Sequence, residues 1–169
     1  MSCLILWLLL LCQPIQSQIL INSNPQNAFP LVTAGKAAVI YVDANDFAVA
    51  GIAARLFAED VFNVTGIKPI VTHSEKALGQ YAVIVGSDRR GTAYGVFELS
   101  EQIGVSPWYW WADVPIAKKE NIFIKDGIYS FGPPDVKYRG IFINDEDWGL
   151  NSWVAETFDP EQKDIGPKT

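Results

Sequence analysis

The sequence has 169 residues, 49% of them hydrophobic, with six Trp, nine Phe and six Tyr. It is far too apolar to stay disordered, and a globule of this size buries roughly 70% of its unfolded surface around one real core. The net charge of −6 is the wrong sign for a nucleic-acid partner, and one His with two Cys leaves too few ligands for zinc.

Cys3 to Cys12 form an uncharged apolar run of ten residues, too short for a bilayer span of about 20 residues. Gln13, Pro14, Gln16 and Ser17 follow, as polar and small residues do at a secretory cleavage site. Residues 1–17 are therefore expected to be a signal peptide, with the mature protein secreted or periplasmic and not held in a membrane. A buried N-terminal element is one competing reading, and a lipid attachment at Cys12 is another. Leu10 and Leu11 are bulky for the latter. Both cysteines lie in this segment, so no disulfide framework supports the remainder. Asn63-Val64-Thr65 is a glycosylation sequon near an expected helix end, where it would be exposed.

Residues 37–43 (AAVIYVD) are a nearly continuous apolar run rich in β-branched residues, as expected of a strand buried on both faces. Asp46 is placed to cap a helix from Phe47 to about Val64, with Gly66 as its stop. Lys68–Thr72 reads as a second strand and Tyr81–Val85 as a third. A second helix is expected from about Thr92 to Ile103, ended by Gly104. This order implies a layered α/β fold. Only eight residues, His73 to Gln80, join the second and third strands, and a parallel crossover needs about a dozen. Those strands are either antiparallel neighbours, or a strand-and-helix unit is missing between them.

Past Pro107 come four consecutive aromatics, Trp108 to Trp111. Alternation along an extended chain would point two rings each way, toward a glycan groove or into a seam between domains. Asn121–Lys125 reads as an edge strand. Gly132-Pro133-Pro134-Asp135 reads as a linker, placing a boundary near Pro134. Lys137–Asn144 then begins a new strand that no further strand accompanies.

Three places could carry chemistry. The loop Gly86–Gly91, between a strand and a helix, superficially matches a phosphate cradle, but the Lys that should follow its second glycine is absent. Arg89 and Arg90 at the helix start could hold a carboxylate or simply be solvated. Asn144-Asp145-Glu146-Asp147 ends an apolar strand, where barrel enzymes place active sites. Inverting glycoside hydrolysis uses two carboxyl groups roughly 6.5–9.5 Å apart. Adjacent strand residues face opposite ways, so Asp145 and Glu146 cannot both face one sugar and a partner must come from elsewhere. A solvated acidic turn is the plain alternative. A calcium loop lacks its alternating pattern and central Gly. His73 is expected to be a surface residue without a role.

Residues 86–104 (GSDRRGTAYG and the following FELSEQIG), 105–115 (VSPWYWWADVP) and 136–147 (VKYRGIFINDED) together resemble the N-terminal region of glycoside hydrolase family 115, the xylan α-1,2-glucuronidases. The resemblance covers roughly residues 37–169. It implies an α/β sandwich domain over 18–134, like domain 2 of hexosaminidases, followed over 135–169 by the start of a truncated catalytic (β/α)8 barrel whose first strand is Lys137–Asn144. The implied activity is removal of glucuronic acid or its 4-O-methyl ether from xylan by inversion, without a cofactor. Glucuronoxylan oligosaccharides would be the partner, and a homodimer of the full-length enzyme is compatible with it.

The same resemblance puts Asn144, Asp145 and Glu146 at the pocket mouth beside Trp148, with Asp145 the first choice. Arg89 and Arg90 are then expected to face the barrel and help hold the uronate carboxylate or the interface, and the resemblance puts the general acid beyond Thr169. Two departures stand out. The family's additional strand and helix before Tyr81–Val85 has no room here, and the barrel, about 250 residues in full, does not follow its first strand. The chain alone is therefore expected to be inactive. Its competing descriptions are a non-catalytic carbohydrate-binding or scaffold module and a truncated product with an exposed orphan strand.

Overall fold

A computed structural model describes residues 21–22, 26–77, 79, 82–112, 114–140 and 142. The chain divides into two units, Met1–Phe131 and Gly132–Thr169. Residues 1–17, expected as a signal peptide, lie outside the described residues. No described helix is long and apolar enough to cross a membrane.

The first unit is mixed α/β. Strands β1 (Ile21–Asn22), β2 (Ala28–Thr33), β3 (Lys36–Ala37) and β6 (Ile122–Lys125) form an antiparallel sheet in the order β1-β6-β2-β3. Ala34 and Gly35, both at positive φ, make the two-residue turn from β2 to β3, the geometry that matches the right-handed twist of a hairpin. The stretch Asn121–Lys125, expected at an edge, is instead flanked by β1 and β2. That is why Ile122, Phe123 and Ile124 are all buried.

A second, smaller sheet pairs β4 (Ile40–Tyr41) in parallel with β5 (Val71–Thr72). The single strand expected over 37–43 is thus divided. The Ala38 N–H donates to Leu31 O, whereas Ile40 and Val42 N–H donate to Ile70 O and Thr72 O. The chain passes from one partner to the other within a few residues. Ile40 and Tyr41 are only half-buried, because β4 has a partner on just one edge among the described residues.

Helix α1 (Ala48–Thr65) joins β4 to β5. Ala50, Ala53, Ala54, Phe57, Val61 and Val64 recur at the spacing of one helical face and are buried. Asp46 does not cap it: its Oδ1 accepts the Phe47 N–H, and Phe47 itself occupies the cap position. Gly66 ends the helix in the left-handed region, as Gly104 does for α2 (Arg89–Ile103). The two helices pack together over β2 and β6, and Val32, Val61, Leu99, Ile103 and Ile122 lie in their shared core.

One short segment closes both helices at the same end. The Lys118 ammonium donates to Asn63 O, the Lys119 N–H to Val64 O and the Lys119 ammonium to Ile103 O. Positive charge is favourable beside unpaired helix carbonyls. Asn63, expected to be exposed, is half-buried in the last turn of α1, where Thr65 is tied to Val61 O and to the Ile67 N–H. Within the seam, the Ser100 hydroxyl is buried without a partner at full hydrogen-bonding geometry. Burial raises the carboxyl of Asp60 above the ordinary range. The Ser100 hydroxyl partly opposes that shift and Glu59 adds to it.

The third expected strand does not form. Tyr81 lies outside the described residues, and residues 82–86 belong to no strand; Val83 is 68% and Val85 84% exposed. Among the described residues of the eight from His73 to Gln80, the 3-10 turn Glu75–Ala77 is the regular element, and eight residues are too little chain to return a strand parallel to β4. A groove of about 700 Å³ remains where Val39–Val42 and Ala82–Ile84 face the apolar side chains of Phe57 and Val96.

The second unit is irregular where described. Residues 137–140 and 142, within the expected first barrel strand Lys137–Asn144, form no strand. A barrel strand needs a neighbour on each side, and the described residues of this unit offer none. The Lys137 ammonium lies 5.3 Å from the centre of the Tyr138 ring, and Tyr138 and Phe142 are exposed.

Candidate functional site

In open α/β sheets, ligands gather at the carboxyl ends of the parallel strands. Here that edge is built from Asp43–Asp46 after β4, His73–Glu75 after β5, and the loop Gly86–Asp88 leading into α2. Asp43 Oδ1 accepts the Asn45 N–H at 2.8 Å, which fixes the first turn. The Tyr41 hydroxyl donates to Glu75 at 3.3 Å. Local burial, followed by the nearby Asp43 and Glu75 carboxylates, raises the Tyr41 phenol above its usual value. His73 Nδ1 is 2.8 Å from Val42 O. A carbonyl only accepts, so Nδ1 carries the proton. The exposed ring thus pins the turn after β5 to the end of β4.

The loop before α2 is shaped by its own residues. Asp88 Oδ1 accepts the Arg90 N–H at 3.0 Å and the Gly91 N–H at 2.8 Å. Asp88 is a helix cap that sequence reading passed over, although an Asp directly before a helix start is its usual signal. The Gly91 amide holds the Asp88 carboxyl below the ordinary range, and Arg90 adds to this despite a pairing distance of 3.8 Å. A Cβ at Gly86 would meet Thr92 N at 1.9 Å and Gly91 C at 2.3 Å. The loop needs glycine because it crosses directly over the helix start. Its amides at Arg90 and Gly91 are already taken by Asp88, so it is a tight turn and not a phosphate cradle.

Arg89 and Arg90 remain exposed beyond this turn. With Phe47, Ala48 and Val49 at the start of α1, they line a cleft of about 440 Å³. Sequence reading treated Phe47 as an ordinary helix residue. An aromatic at the cap position, 62% exposed, is the signal that it missed.

The aromatic run departs from the extended geometry expected of it. Tyr109–Ala112 is a single helical turn, α3. Ser106 starts it, its hydroxyl accepting the Trp108 N–H at 3.1 Å and its carbonyl the Tyr109 N–H at 2.9 Å; Pro107 suits the first position of such a turn. Trp108 is 55% exposed and Tyr109 packs against the core.

Of the residues expected at the site, Arg90 is placed on the cleft just described. Asn144, Asp145, Glu146 and Trp148 lie outside the described residues. Among the described residues no three His, Cys, Asp or Glu side chains are grouped to hold a metal ion.

Residues 131–169 match the family model of glycosyl hydrolase family 115. No curated protein matches the chain. Among solved structures, a family GH115 4-O-methyl-α-glucuronidase with specificity for decorated arabinogalactans superposes with a TM-score of 0.63 at 30% sequence identity. The match covers 79% of this chain and 22% of that one, so the chain spans about a fifth of its relative's length. The family model and the fold converge with the sequence motifs, and the chain matches the N-terminal region of glycosyl hydrolase family 115.

Proposed function

We propose that this chain is the N-terminal part of a secreted or periplasmic glycoside hydrolase that removes glucuronic acid, or its 4-O-methyl ether, from plant polysaccharide side chains. The observation that carries this reading is that the motif Asn144–Asp147 falls within the residues matched to family 115. Glucuronoxylan is the substrate proposed from the motifs. The relative's specificity for decorated arabinogalactans makes those glycans the natural comparison.

In this reading residues 18–134 are a hexosaminidase-like α/β domain and residues 135–169 begin a (β/α)8 barrel. Asp145 lines the pocket with Asn144, Glu146 and Trp148. Inversion requires one carboxylic acid to protonate the leaving oxygen and a second carboxylate to activate water on the opposite face. One side chain facing the sugar from this strand supplies at most one of the two. The general acid is therefore assigned to chain beyond Thr169, and the present residues alone are expected not to turn over. No cofactor is needed, and the full-length enzyme is proposed to dimerise. The exposed Trp108 ring favours a second reading, a carbohydrate-binding module without catalysis.

The discriminating observation is the coding sequence past Thr169. An open frame with seven further strand-and-helix units is expected, with release of glucuronate by its product. A stop codon at that point would favour the binding module.

A further inference from the structure

The cleft between the starts of α1 and α2 combines two chemistries in about 440 Å³, a volume within the range of small-ligand sites. One wall is Phe47, Ala48 and Val49, and the Phe47 ring is 62% exposed. The other is Arg89 and Arg90. A flat ring left open to water is a stacking surface for the apolar face of a sugar. A guanidinium presents a planar fork of donors that matches a carboxylate.

The arginines are not consumed by the fold. Among the described residues Asp88 is the carboxylate that pairs with Arg90. Its Oδ1 is spent on two helix amides, and its Oδ2 approaches Arg90 only to 3.8 Å. Asp46, before Phe47, is likewise engaged through Oδ1 with the Phe47 amide. Arg89 makes no ion pair among the described residues. Neither helix carries an acidic residue in its first turn, and the one cap carboxylate that feels both guanidinium groups, Asp88, is set against two positive charges.

We propose that this cleft binds a uronic acid side chain, with the ring face on Phe47 and the carboxylate held by Arg89 and Arg90. The choice of a uronate rests on the glucuronidase reading above. The pairing of an aromatic floor with two guanidinium groups asks only for a carboxylate-bearing ring. Binding would require no hydrolysis, since all five lining residues belong to the first unit. The site would hold the chain on acidic glycan.

The test is equilibrium binding of the 169-residue chain to a glucuronate-bearing xylo-oligosaccharide and to the same oligosaccharide without the uronate. The decorated ligand should bind, with an affinity that falls as salt rises, and the undecorated one should not. Arg89→Ala should weaken binding roughly tenfold, and Phe47→Ala roughly threefold to tenfold. Arg89→Lys, which keeps the charge and loses the fork, should fall between Arg89→Ala and the parent. Thermal denaturation should confirm that each variant stays folded.

Equal binding of both oligosaccharides, or unchanged affinity in Arg89→Ala and Phe47→Ala, would overturn the proposal. So would sulfate competing as well as methyl glucuronide, because the cleft would then read charge without the ring. Asp145→Asn separates this inference from the glucuronidase reading. It should leave binding in the cleft intact while slowing glucuronate release by the protein that carries the whole barrel by a factor on the order of 10²–10⁴.

Discussion

Residues 122–125 and 82–85 read almost alike, as short β-branched apolar runs (IFIK and AVIV), yet their fates differ. Ile122 is 0% exposed, held between β1 and β2 and under both helices. Val85 is 84% exposed and residues 82–86 belong to no strand. Composition makes a run suitable for a sheet, but partners within reach of the chain decide whether it enters one. β6 meets partners brought by a tight hairpin and by the N-terminal strand. The segment 82–86 follows a connection too short to carry it alongside β4.

This difference predicts unequal responses to mutation. Ile122→Ala should cost about 2–5 kcal/mol, as removal of a fully buried branched side chain does, measurable by urea denaturation. A loss under about 0.5 kcal/mol would mean that β6 is not part of the working core. Between the two regions, the seam of α1 and α2 should respond to pH. The folded Asp60 carboxyl is raised by burial, so its contribution to stability is fully present below the ordinary carboxylate pKa. It is lost as pH rises through the raised folded value. Asp60→Asn should flatten that part of the stability profile and raise stability at neutral pH. An unchanged pH slope would show that the seam does not sense this charge. The smallest effect belongs to the open segment. Val85→Lys should change stability by no more than about 0.5 kcal/mol, while reducing self-association and binding of a hydrophobic dye. A large destabilisation would place Val85 in a packed strand after all.

Much of the helical layer was legible in the sequence, because helix stops are local. Gly66 and Gly104 each end a helix in the left-handed conformation, and the apolar spacing of α2 places Val96, Leu99 and Ile103 on its buried face. The sheets were less legible because pairing is not local. β2 carries Pro30 and went unread, although its Leu31 and Val32 are central to the core. The apolar stretch 37–43 gave no sign that it would change partners near Val39. At the site, Asp88 was readable as a cap and Phe47 as an unusual one. The carboxylate motif at 144–147 was readable only as sequence, because it lies outside the described residues. The cleft of Phe47 with Arg89 and Arg90 could not be foreseen, because it depends on two helix starts separated by about 40 residues of sequence meeting at one edge.

The most direct measurement of the glucuronidase account is release of 4-O-methylglucuronic acid from glucuronoxylan by the protein that includes the complete barrel. The parent protein should release the uronate, and Asp145→Asn should lower the rate by a factor on the order of 10²–10⁴ with the fold unchanged. Full activity in Asp145→Asn, or no release from either glucuronoxylan or decorated arabinogalactan by the parent, would contradict it.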